Sequence, residues 1–77
     1  MNKRNEWQDL LAFANEELAK KKVSITITDP EGEGMYKCII YKDGVESEVY
    51  AENYFENELC DLVNDVWHHI CTNEIYN

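Results

Sequence analysis

The sequence predicts one α+β domain spanning residues 1–77, of order α-β-β-β-α, in which a three-stranded antiparallel sheet carries two helices packed on one face. Three observations lead there. Apolar residues recur at helical spacing near both ends, a central segment alternates strictly between apolar and polar residues, and an Asp-Gly pair joins two further strand-like segments. A chain of this length supports a single core and buries only about 60–65% of its unfolded surface, so modest stability is expected. Its hydrophobic fraction of 44% is that of a folded body, with fraying expected only at the ends.

Trp7, Leu10, Leu11, Ala14 and Leu18 fall on one face of a helix over roughly residues 5 to 21. Asn5 is a suitable cap, Glu6 and Asp9 sit near the positive end of the dipole, and Lys20, Lys21 and Lys22 near the negative end. Val23-Ser24-Ile25-Thr26-Ile27-Thr28 then reads as a half-buried strand with Val23, Ile25 and Ile27 inward. The proline and two glycines of residues 29–34 turn the chain.

A second strand is predicted from Met35 to Tyr41 or Lys42, and a third from Val45 to about Ala51, joined by Asp43-Gly44 in a type I′ hairpin. The two-residue loop sets a register of Lys42 across from Val45, Ile40 from Ser47, Cys38 from Val49 and Tyr36 from Ala51, all on one face. On the other face it pairs Tyr41 with Glu46, Ile39 with Glu48 and Lys37 with Tyr50. Last, Phe55, Leu59, Leu62, Val63, Val66 and Ile70 make a helical stripe roughly 80° wide, with Asn53 as its cap. Cys60, Trp67 and Cys71 form a second stripe, expected to face the first helix. Two one-sided helices suit a sheet with one open face, although Ile39, Tyr41 and Tyr50 also allow helices on both faces.

The formal charge of −9 is divided unevenly along the chain. Residues 1–42 hold all seven basic residues against seven acids, whereas residues 43–77 hold nine acids and no Lys or Arg. Such a field repels nucleic acid and membrane phosphates and attracts a basic surface. Glu58, Asp61 and Asp65 line one side of the second helix, where the i,i+4 pair Asp61 and Asp65 costs a few tenths of a kcal/mol. A surface built for solubility alone would mix both signs. Asp43, Glu46, Glu48, Glu58, Asp61 and Asp65 are therefore the expected partner-binding acids, and Tyr41 and Tyr50 the rigid aromatic contacts beside them.

Chemistry of other kinds finds little footing. His68, His69, Cys71 and the distant Cys60 lack the paired spacing that completes a four-ligand metal set. No nucleophile stands with a base and an orienting group in the pattern, and the three glycines lie in turns rather than a phosphate loop. The chain reads as a binding module without catalytic residues, cofactor or metal. Three cysteines and no apolar leader point to reduced thiols in a bacterial cytoplasm, and no segment approaches a membrane span.

The α-β-β-β-α order is shared with the double-stranded-RNA-binding domain, yet Glu52, Asn53, Glu56 and Glu58 stand where that family needs lysines. In size, acidity and layout the chain resembles the small acidic phage-encoded anti-CRISPR proteins. That likeness spans the first helix, the strand Val23 to Thr28, the hairpin around Asp43-Gly44 and the acidic residues Glu46 to Asp65. It implies an inhibitor that imitates DNA phosphates and occupies the basic channel of a CRISPR effector, with Glu46, Glu48, Glu58, Asp61 and Asp65 facing its Arg and Lys. A restriction enzyme or another defence nuclease would present a similar surface. An accessory or self-associating interaction module is the alternative.

Overall fold

Trp7, Leu10, Leu11, Ala14 and Leu18 line the inner side of α1 (Glu6–Leu18) in the computed structural model, which describes residues 6–77. Asn5, the expected cap, lies outside the described residues. A 3₁₀ turn, Ala19–Lys21, extends α1 and ends at Lys22, whose φ of 60° places it in the left-handed region that commonly closes helices. The chain then enters β1 (Val23–Thr28), β2 (Tyr36–Lys42) and β3 (Val45–Tyr54), an antiparallel sheet of order β1-β2-β3. Positive φ at Asp43 (55°) and Gly44 (81°) gives the expected I′-type hairpin. The Asp43 N–H donates to the Lys22 carbonyl at 2.8 Å, tying the hairpin tip to the end of α1.

A 3₁₀ turn, Glu56–Glu58, leads into α2 (Leu59–Thr72). Leu59, Leu62, Val63, Val66 and Ile70 are buried as their spacing requires, and they meet Ala14, Leu18, Val23, Ile25, Cys38 and Ile40 in one core. Phe55 departs from the stripe and is 55% exposed, because the helix starts four residues later than the apolar pattern does. Asn53 does not cap it. Its φ of 63° turns the chain inside β3, and the Phe55 N–H is taken instead by Glu58 Oε1 at 3.0 Å.

Both helices lie on one face of the sheet, in contact with each other, with α1 over β1. Of the second stripe of α2, Trp67 faces α1, its ring meeting Phe13 edge-on at 5.5 Å, whereas Cys71 is exposed. At the sheet edge, Asn15 of α1 reaches β1 and makes both hydrogen bonds that a neighbouring strand would make. Its Oδ1 accepts from the Ile25 N–H at 2.7 Å and its Nδ2 donates to the Ile25 carbonyl at 3.0 Å.

The hairpin register departs from the two-residue-loop prediction after its first two pairs. Lys42 faces Val45 and Tyr41 faces Glu46 as expected, but Ile40 faces Glu48, Ile39 faces Val49, Cys38 faces Ala51 and Tyr36 faces Tyr54. Three register shifts insert extra residues into β3, each turning the following side chains to the other face. The segment Glu46-Ser47-Glu48 has no apolar alternation to hold a register, so tertiary partners decide it.

Those partners come from α2 and from the segment after it, which is packed against the sheet. A 3₁₀ turn, Glu74–Tyr76, returns to the sheet and leaves Tyr76 only 1% exposed. Asn77 holds the end of α2, donating from Nδ2 to the carbonyls of Cys71 at 3.2 Å and Asn73 at 2.7 Å.

Candidate functional site

The expected binding residues fall into three places. Tyr41 and Glu46 are cross-strand neighbours on the open sheet face, with Asp43 exposed at the hairpin tip. Glu58, Asp61 and Asp65 are exposed on or just before α2, and Glu58 is partly engaged by the Phe55 N–H. Glu48 and Tyr50 belong to neither group. The first register shift puts Glu48 opposite the buried Ile40, and Tyr50 packs against the core beside it. The expected open-face row of Tyr41, Glu46, Glu48 and Tyr50 is thus split between two faces.

Glu48 sits at the centre of a polar cluster that joins three elements. Its Oε1 accepts from the Tyr76 hydroxyl at 2.6 Å and lies 3.1 Å from His69 Nε2 of α2. The Ser47 hydroxyl is 3.0 Å from the Tyr76 oxygen, so the residue skipped by the register shift completes the network. The His69 ring also packs on Tyr50 at 4.9 Å and on Tyr76 at 6.2 Å. The Tyr76 hydrogen bond lowers the Glu48 pKa most, opposed by partial burial and assisted by His69. Burial raises the Tyr76 pKa, and the Glu48 carboxylate adds to it. Burial likewise raises that of Tyr50, followed by the charge of Asp65.

This cluster clamps β3 to α2 and to the C-terminal segment. Tyr76 is buried, and neither of the two grooves described next is lined by Glu48, His69 or Tyr76. The first groove, about 300 Å³, opens between Pro30, Glu31, Glu33, Met35, Lys37 and Glu52. The second, about 430 Å³, runs between the end of α1 and α2, with Lys20, Lys21, Trp67 and Cys71 along it. Cys38 is buried and its thiol is pushed up to about 12, which keeps it protonated and inert, whereas Cys71 is exposed. Among the described residues no three His, Cys, Asp or Glu side chains are placed to hold a metal ion, and no helix is long and apolar enough to cross a membrane.

Of the nine acids in residues 43–77, eight are exposed and only Glu48 is half-buried. Among the described residues the ion pair made within that half is Glu48 with His69, and no Lys or Arg side chain reaches Glu46, Glu52, Asp61 or Asp65. Compared with protein-family models, with curated proteins and with solved structures, the chain matches none. Sequence reasoning missed Asn15, Ser47, His69 and Tyr76 as partners, and the first groove altogether. A buried aromatic in a terminal segment would have been signalled only by Ile75-Tyr76 standing apart from the preceding helix pattern.

Proposed function

We propose that this chain is a non-catalytic protein ligand for the basic surface of a nucleic-acid-binding enzyme, which it inhibits by standing where phosphates would bind. A CRISPR effector or another defence nuclease is the proposed class of partner. One observation carries the reading: eight exposed acids without a single Lys or Arg in the same 35-residue half. Dipole complementation accounts for Glu56 and Glu58 at the start of α2. Asp61, in the first turn of α2, gains from the dipole in the same way, but Asp65 lies beyond that turn and repels Asp61 along the helix, so the dipole does not account for it. Carboxylates spaced roughly 6–10 Å on rigid elements approximate a row of phosphates. The field also speeds encounter with a cationic cleft.

The test is binding and inhibition with purified guide-loaded CRISPR effectors and restriction nucleases, at low and at high salt. A variant carrying Glu46, Glu52, Asp61 and Asp65 as amides serves as the comparison, with Glu48 left intact because it holds the fold. Wild type should bind and block DNA cleavage, both more weakly as salt rises, and the amide variant should neither bind nor block. Absence of binding to any basic enzyme at low salt would sink the proposal. Equal binding by both chains would favour the alternative, an accessory module whose uncovered sheet face docks irrespective of charge.

A further inference from the structure

Resting on the acidic-ligand reading above, we propose that the open sheet face and the groove at its end form the docking site, and that the occupant is an arginine-rich polypeptide segment with apolar residues between its basic ones. With both helices on one side, the pairs Thr26 with Ile39, Tyr41 with Glu46, and Ile39 with Val49 share the uncovered side. Ile39 and Tyr41 are half-buried and Val49 is 40% exposed, a small apolar centre among threonines. Lys37 lies on the same face, opposite Thr28, and also lines the first groove, so face and groove are continuous.

Groove and face together define the partner by charge. Glu31, Glu33 and Glu52 converge on the groove against the lone Lys37, with Pro30 and the 40%-exposed Met35 between them. A long cationic side chain matches that mixture, laying its methylenes on Met35 and Pro30 and its head among the carboxylates. Arginine fits better than lysine because its flat guanidinium can also stack on Tyr41. Strand addition, the other common way to dock on a sheet, is closed off: Asn15 occupies β1 at Ile25, and β3 is bulged and acidic. Nucleic acid is repelled by the same carboxylates.

The experiment is a titration of the isotope-labelled full chain with a synthetic peptide of alternating arginine and leucine, followed by amide chemical shifts. Saturable shifts at Thr26, Met35, Ile39, Tyr41, Val49 and Glu52 are expected. The triple variant E31Q/E33Q/E52Q, all at exposed positions, should weaken binding about tenfold, and D61N/D65N by no more than about twofold. Shifts confined to Asp61 and Asp65 would overturn this docking site while leaving the acidic-ligand reading intact. No saturable binding at low salt would overturn the docking site too, and the enzyme-binding assay would then decide the broader reading by itself.

Discussion

The two edges of the sheet are closed by opposite means. At β1, a regular strand without a charged residue, the outward backbone groups of Ile25 are taken by one side chain from another element, Asn15. At β3 the strand closes itself, through three register shifts and the exposed acids Glu46 and Glu52. Among the described residues, the side-chain hydrogen bonds at the first edge are those of one replaceable residue, Asn15. The second depends on its irregular course, which Tyr76 and His69 hold from outside the strand through Ser47 and Glu48. Removing a partner from each edge should give different failures.

The largest effect is expected at β3. Tyr76→Ala removes a buried ring and strips Glu48 of its main hydrogen bond, a loss of roughly 3–5 kcal/mol by analogy with other buried aromatics. Stability for so small a domain is of the same order, so the variant should be largely unfolded in urea concentrations that the wild type resists. Tyr76→Phe keeps the ring and should cost only about 1–2 kcal/mol. If Tyr76→Ala lowered the urea midpoint no more than Tyr76→Phe does, β3 would owe its course to its own sequence.

At β1, Asn15→Ala leaves the Ile25 N–H and carbonyl unpaired at a newly accessible edge, which should cost roughly 1–3 kcal/mol. Its distinctive sign is association. Sedimentation at increasing concentration should show dimers or larger species for this variant and none for Tyr76→Phe, since only the first opens a flat, uncharged strand. A strictly monomeric Asn15→Ala would mean that the side-chain amide contributes stability without guarding the edge.

The same contrast explains what could be read in the sequence. β1 alternates Val23, Ile25 and Ile27 with polar residues, so its limits and inward face follow from period two alone. The stripe of α2 is equally explicit, and the Asp-Gly pair fixes the first two hairpin pairs. Beyond Glu46 the strand offers Ser47 and Glu48, which suit either face, and a residue far along the chain chooses between them. The site inherited that error: Glu46 is exposed as expected, whereas Glu48, two residues on, is turned inward and spent on Tyr76. Local pattern specifies elements, and non-local hydrogen bonds specify which carboxylates remain for a partner.

Acid should act on β3 before it acts on β1. In the folded chain the Glu48 carboxyl is held below its ordinary 4.5, first by the Tyr76 hydroxyl and, against partial burial, by His69. The unfolded state then binds more protons near that pH, so this contribution is complete above about 4.5 and is lost as the pH falls through the lower folded value. With the side chain 37% exposed, solvent screening keeps the effect smaller than that of Asn15. Urea midpoints measured from neutral pH to pH 3 should fall at the acid end for wild type, and less steeply for Glu48→Gln. Identical acid limbs would place the pH dependence on other carboxylates.

The smallest expected change in stability bears most on function. Asp61 and Asp65 have no cationic partner among the described residues, and each lies one helical turn from the other on α2. Replacing Asp65 by Asn removes a like-charge pair and should raise stability by a few tenths of a kcal/mol, the opposite sign to every substitution at the clamp, whereas Asp61 in the first turn of α2 also meets the helix dipole, so that its Asn variant should be close to neutral. Their place on α2, on the covered side of the sheet, also separates their role from that of Glu31, Glu33 and Glu52, which line the first groove. Steering acids change how fast a basic partner arrives, and contact acids change how slowly it leaves. The Asn variants should accordingly slow association at low salt while leaving dissociation nearly unchanged, and that difference should vanish at high salt. If instead they destabilised the fold by more than about 1 kcal/mol, these acids would be part of its framework, and the charge of the second half would lose its claim to a partner.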